Sequence, residues 1–286
     1  MGDRLLVSSG GLVCYLWQAL STCLFPSRCA ACNRFMSPLF TEARGATAIG
    51  AACQAEASVN TLAHASGYLC PDCLDGCQPL SSPMCPRCGL MFKSRIGPDH
   101  RCSDCLSADG FYGIARAGGI YQGGVMDLVH QLKYKGRLAL ARPMGRMLKD
   151  VFQYYWRARP VDLVVPIPLH PGRLRRRGFN QTLLLWRAWQ QAVAAGPETA
   201  PVPDGSAAIL TRSRRTLPQT GLNRPDRRRT MRGAFSVIAR ERIKERRLLL
   251  LDDVFTTGAT VEEAARVLLA AGAASVDVLT VARTLR

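Results

Sequence analysis

The sequence predicts an α/β protein: a mostly parallel, doubly wound sheet preceded by a small metal-binding module. Three observations predict it. Eight cysteines fall into four C-x-x-C pairs, all before residue 108. Strand-like and helical patterns then alternate to the end of the chain, the pattern of a parallel sheet covered by helices. Near the C-terminus, LLLLDDVFTTGATVEEAARVLLAAGA (residues 248–273) changes period from strand to helix across a short polar run.

In that last stretch four consecutive leucines leave no polar face, so residues 248–251 read as a strand covered on both sides. Val261, Ala264, Ala265, Leu268 and Leu269 repeat with helical spacing, Glu262 and Glu263 sit in the first turn, and Gly272 closes the end. The polar run between them is a strand-to-helix turn, where ligands bind in α/β folds.

The remaining elements follow in order. The chain divides near residue 108 into an N-terminal region (1–108) and an α/β region (109–286). Residues 12–26 are apolar but preceded only by Arg4 and followed directly by a C-x-x-C pair. They read as an amphipathic helix beside the metal module rather than as a signal peptide, and no segment approaches transmembrane length. Residues 41–66 form an Ala-rich loop insertion containing Cys53 and His64. Beyond 108, strands are predicted at 111–121, 161–166, 207–211, 234–238 and 275–281. Helices are predicted at 126–134, 138–156 and 179–195. Residues 212–232 form a basic loop with eight arginines. No internal repeat stands out beyond the C-x-x-C pairs.

The cysteines carry the first chemistry. A tetrahedral zinc site needs four ligands, and two C-x-x-C turns supply them. Cys29, Cys32, Cys70, Cys73, Cys85, Cys88, Cys102 and Cys105 therefore predict two structural zinc ions, with no open coordination position. Redox dithiols are the competing reading, but they rarely come as four pairs so close together. The spacing does not decide which pairs share an ion. Cys14, Cys23, Cys53 and Cys77 read as buried thiols, and His100 as a substitute ligand that four cysteine pairs do not need. Thiolate ligands imply a reducing, cytoplasmic location.

The polar run carries the second. Backbone N–H groups at a helix start, with Gly258 allowing close approach and hydroxyls from Thr256, Thr257 and Thr260, make a cradle for a phosphate. Asp252 and Asp253 cannot hold that phosphate, but carboxylates accept well from neighbouring hydroxyls, and a ribose carries two. The bland alternative is an acidic strand end with a threonine cap. The net charge of +17 suits a polyanionic partner, either nucleic acid or a phosphate-rich small molecule.

This stretch closely resembles the signature of type I phosphoribosyltransferases, which bind 5-phosphoribosyl 1-diphosphate. VPIPLHPGRLRRRGFNQ (165–181), HQLKYKG (130–136), QTGLNRPDRRRTMRGAF (219–235) and the C-x-x-C region resemble the ComF family. The resemblance spans almost the whole chain apart from the 41–66 insertion, with Thr230 where the family pattern usually has Asn. It implies a double zinc ribbon before a phosphoribosyltransferase domain, and for some members a link to DNA uptake in natural competence. Carried over residue by residue, Asp252 and Asp253 would hold the ribose hydroxyls, and Thr256, Thr257, Gly258, Ala259 and Thr260 would wrap the 5-phosphate. The stretch 165–172, with Pro166, Ile167 and Pro168, would meet the pyrophosphate, backed by Arg173, Arg176 and Arg177. The basic loop at 212–232 stands where the fold places its hood. Lys133 and Lys135 read either as phosphate ligands or, the reading preferred, as an exposed helix end. Magnesium would accompany the diphosphate, no acceptor is legible, and a homodimer is compatible with the sequence. A second reading makes the chain a non-catalytic, ligand-sensing protein of DNA uptake or recombination that contacts single-stranded DNA or a partner protein.

Overall fold

The alternation after residue 108 forms a five-stranded, all-parallel sheet with helices on both faces. The computed structural model describes residues 27–36, 61–107, 110–195, 203–214 and 229–285. The helix expected at 12–26, most of the 41–66 insertion, Cys14, Cys23, Cys53 and the middle of the basic loop lie outside the described residues. Numbered among the described residues, the elements begin with α1 (Pro71–Asp75), α2 (Ser103–Leu106), β1 (Ala115–Ile120), α3 (Gly123–Lys135) and α4 (Ala141–Tyr155). They continue with β2 (Leu163–Pro166), α5 (Pro171–Arg177), α6 (Gln181–Ala194), β3 (Asp204–Gly205), β4 (Leu210–Arg212) and β5 (Phe235–Val237). The chain ends with β6 (Arg247–Phe255), α7 (Ala259–Ala270) and β7 (Ser275–Arg283).

The strand order is β1-β7-β6-β2-β3, so β6 lies at the centre. Its four leucines are each at most 1% exposed, and burying each contributes a gross ~2 kcal/mol. Leu248 and Leu250 face α7, meeting Val261, Ala264, Ala265 and Leu268. Leu249 and Leu251 face the other way, into a core with Leu128 and Leu132 of α3, Met147 and Leu148 of α4, and Leu185 and Trp189 of α6. Both faces are covered, as the unbroken apolar run requires.

This topology also fixes where a ligand can sit. From β2 the chain runs through α5 and α6 to β3 on one side. From β6 it runs through α7 to β7 on the other. The connections diverge between β2 and β6, and in open α/β sheets the crevice at such a divergence, at the carboxyl ends of the strands, is the binding position.

Several expectations are corrected. The strand expected at 111–121 is shorter, because Gly113 N and Ile114 N bond to Val276 O and the Asp277 carboxylate before β1 begins. The helix expected at 138–156 starts with a 3-10 turn at Leu138–Leu140. The strands expected at 207–211 and 234–238 do not join the main sheet; β4 and β5 pair antiparallel in a small sheet of their own. Strand β6 runs to Phe255, so Asp252 and Asp253 lie within it rather than beyond its end. The arginines after residue 172 sit on a short helix, α5, capped by His170 Nδ1 accepting from Gly172 N at 3.1 Å. Among the described residues no helix is long and apolar enough to cross a membrane.

Candidate functional site

The eight C-x-x-C cysteines gather into two groups of four, settling a pairing the sequence left open: Cys29, Cys32, Cys70 and Cys73 form one, and Cys85, Cys88, Cys102 and Cys105 the other. Within each group the sulfurs lie within 4.8 Å of one another. The two groups share one construction. A hairpin closed by a single antiparallel bridge, Arg28 to Phe35 or Met84 to Met91, brings the first pair. A one-turn helix, α1 or α2, brings the second, with Cys70 and Cys102 at its N-cap in nearly identical backbone conformation. Each hairpin turns on a residue with positive φ, Asn33 (φ 61) or Gly89 (φ 67). The duplication is a structural repeat of which the spacing alone showed only the C-x-x-C pairs.

Four sulfurs around one zinc at ~2.3 Å stand about 3.8 Å apart along each edge of the tetrahedron. Cys32 Sγ and Cys70 Sγ are 3.7 Å apart, as are Cys88 Sγ and Cys102 Sγ. Both groups therefore fit a zinc ion held by thiolates, with a closed shell. His100 stacks on Phe92, ring centroids 4.0 Å apart, and belongs to neither group. Cys77 is a buried thiol donating to Cys73 O at 3.3 Å.

At the divergence between β2 and β6 lies a cavity of about 660 Å³. Asp252, Asp253, Thr256, Thr257 and Thr260 line it from the β6 end. Ile167, Pro168 and Leu169 line it from the β2 end, and Arg173, Arg176 and Arg177 from α5. Pro166 is buried within β2, and Gly258 and Ala259 are buried behind the threonines. Gly258 holds φ +80, and a Cβ there would stand 2.8 Å from the Phe255 ring, so the turn depends on glycine. The β2 end is pinned from α6: Thr182 Oγ1 donates to Ile167 O at 2.6 Å and Asn180 Nδ2 to the same oxygen at 3.3 Å.

The two carboxylates are not equivalent. Strand alternation puts Asp253 on the side of Leu249 and Leu251, toward α3, and Asp252 on the side of Leu248 and Leu250. Lys133 Nζ reaches Asp253 Oδ1 at 2.8 Å, with the two side chains 15% and 8% exposed. The expectation that Lys133 marks an exposed helix end is thus wrong, although it holds for Lys135. Burial opposes the Lys133 charge, but Asp253 and Asp252 outweigh it and hold its pKa above the usual value. Asp253 Oδ2 is buried and has no hydrogen-bond partner among the described residues. Burial, then the adjacent Asp253, push the Asp252 carboxyl up to about 7. Asp252 Oδ1 accepts from Asp253 N at 2.9 Å.

Residues that pattern reading did not assign complete the lining. Tyr121, Tyr134, Gln181 and Thr284 join the cavity, as does Arg212, expected only as the start of a loop but in fact the buried last residue of β4. Burial and the nearby Arg173 cation lower the Arg212 guanidinium to about 10. A cavity with two carboxylates on one wall and five cations around it can take a ligand that is anionic at its ends and carries hydroxyls between them. Lys133 lies one helical turn after Val129, at the edge of the buried face of α3, a position that does not say which carboxylate it meets.

Comparison with known proteins gives relatives along most of the chain. It is 32% identical over 205 residues to the DNA utilization protein YhgH of Escherichia coli (strain K12), covering 71% of this chain and 85% of that protein. It is 28% identical over 214 residues to competence protein F of Haemophilus influenzae, covering 73% and 89%. It is 28% identical over 217 residues to competence protein ComFC of Streptococcus pneumoniae, covering 75% and 87%. No family model matches the chain.

Proposed function

We propose for this chain, which belongs to the ComF family, that it binds 5-phosphoribosyl 1-diphosphate with magnesium and transfers the phosphoribosyl group to an acceptor. The observation that carries the reading is the buried, unpartnered Asp253 Oδ2, beside Asp252 in a cavity otherwise rich in cations and threonine hydroxyls. A buried carboxylate oxygen without a partner is costly unless a ligand supplies one.

In this reading the α/β region is of the type I phosphoribosyltransferase kind, and the division near residue 108 separates it from the zinc module. Asp252 and Asp253 hold the ribose hydroxyls, and the turn Thr256, Thr257, Gly258, Ala259 and Thr260 holds the 5-phosphate. The β2 end, with Arg173, Arg176 and Arg177, faces the diphosphate. The reaction breaks the bond between the anomeric carbon and the diphosphate oxygen, pyrophosphate leaves with the electron pair, and the acceptor forms the new bond to that carbon. Arginines neutralise the leaving group as charge develops on it. Magnesium, held against the Asp252 and Asp253 carboxylates, would neutralise the diphosphate when bound. Lys133 supplies the counter-charge to Asp253 across 2.8 Å. Pyrophosphate release from the substrate with magnesium, screened across candidate acceptors, tests transfer. Release that persists in D252N/D253N, or none with any acceptor, would rule it out.

A second reading, that the chain serves DNA uptake by contacting single-stranded DNA, is favoured by the names of its relatives and by the +17 charge. Phosphate contacts would make DNA affinity fall steeply with salt, with a slope reduced by removing arginines of residues 212–232. Affinity insensitive to salt would remove its physical basis.

A further inference from the structure

Arg283, the last residue of β7, is 2% exposed. A guanidinium carries its charge at neutral pH, so a buried one needs an answering charge. The bond this one makes is from Nη2 to Cys88 Sγ, at 3.3 Å. Among the described residues its Nε and Nη1 are buried without a hydrogen-bond partner, and its Cζ lies 4.4 Å from the centroid of the Phe255 ring. A centre of four thiolates and one divalent ion keeps two negative charges, a counter-charge that no carboxylate among the described residues is shown supplying to Arg283.

Phe255 connects the arginine to the cavity. It ends β6, and its ring occupies the space a side chain on Gly258 would need. Thr284, next to Arg283, donates its N–H to Phe255 O at 3.0 Å and lines the cavity. Cysteine centre, guanidinium, aromatic ring and glycine turn therefore form one continuous contact path. Among the described residues the Cys29, Cys32, Cys70 and Cys73 group has no buried guanidinium shown donating to a thiol, so the two centres differ despite their common construction.

We propose that Arg283 is a positioning residue that ties the Cys85, Cys88, Cys102 and Cys105 centre to the turn at residues 256–260, so that metal at this centre sets the turn's affinity for a sugar phosphate. The inference rests on the reading of that turn as a phosphate site. With the metal present, Arg283 is held between thiolate and ring, and Phe255 is fixed under Gly258. Without it nothing holds the four sulfurs together, Arg283 loses the fixed sulfur to which it donates, and the arginine and ring beneath the turn must rearrange.

The test uses the full chain loaded with cobalt(II) in place of zinc, comparing wild type with R283M and R283K. Two quantities are read: the thiolate-to-cobalt charge-transfer absorption and the Kd for ribose 5-phosphate. The expected result is a shifted band for half of the bound cobalt in R283M, with affinity weakened about tenfold, and partial rescue in R283K, which keeps the cation. Stepwise removal of cobalt from the wild-type chain by a chelator gives the same answer without a variant. Affinity falling with loss of the metal supports the proposal, and affinity unchanged after all cobalt has gone overturns it. An R283M chain with an unshifted band and wild-type affinity also overturns it. A fully loaded wild type that does not bind ribose 5-phosphate sinks the phosphate reading itself, whereas equal binding by wild type and R283M sinks only the role of Arg283.

Discussion

Replacing Lys133 by Met removes a charge from a buried ion pair of the cavity. The Nζ to Oδ1 distance is 2.8 Å and the side chains are 15% and 8% exposed. At that separation and an effective dielectric near 20, the attraction is about 6 kcal/mol. Much of it offsets desolvation of the two groups, so the net worth of the pair is smaller. Removal of one partner is another matter, because Asp253 is left buried with Oδ1 as well as Oδ2 unanswered, and breaking a buried pair typically destabilises by about 3–5 kcal/mol. For a chain of this size that lowers Tm by roughly 10 °C. Urea unfolding followed by circular dichroism measures the change. K133M/D253N should regain at least half of the loss, because an amide tolerates burial better than an unpaired carboxylate. A K133M chain within about 1 kcal/mol of wild type, or a double variant less stable than K133M, would refute the assignment of Lys133 as the buried ion-pair partner of Asp253.

Asp252 should make stability fall with rising pH. Its pKa is raised from 3.8 to about 7 by burial and by Asp253, so its contribution is complete below the unfolded value and lost as pH rises through 7. Comparison with D252N should show a difference of at most about 4 kcal/mol accumulating across that window, and parallel stability-pH curves for the two would contradict it. Metal analysis of the purified chain should give two zinc ions, falling to one in C88S; two ions retained in C88S would mean that the grouping of cysteines is wrong. G258A should be destabilised by about 1–3 kcal/mol, since φ is +80 and the added Cβ meets the Phe255 ring at 2.8 Å; urea unfolding unchanged from wild type would deny the turn its need for glycine.

How much was legible in the sequence depended on whether the signal was local. The leucine run of β6 and the helical spacing of α7 lie within one stretch of chain, and period alone placed the polar turn between them. The eight C-x-x-C cysteines were legible for the same reason, as pairs. Their grouping was not, because it depends on which hairpin meets which one-turn helix across as many as 38 residues, as between Cys32 and Cys70. Lys133 was misjudged because helix position says nothing about a carboxylate 120 residues away on β6. β3 has only Asp204 and Gly205, neither with strand preference, and exists because β2 offers an edge. β4 and β5 looked like further strands of the main sheet, since period does not say which partner a strand will take. Arg283, at the end of an apolar strand, gave no sequence signal; its meaning comes from Cys88, which lies 195 residues earlier.

Isothermal titration of 5-phosphoribosyl 1-diphosphate with magnesium, on wild type and on D252N/D253N, tests the central claim most directly. The account predicts saturable one-site binding by wild type, lost or weakened at least about a hundredfold in the variant, since each carboxylate would supply charge-assisted bonds worth about 1.5–3 kcal/mol. Wild type that shows no binding, or a variant that binds as tightly, would contradict it and leave the cavity to a different ligand.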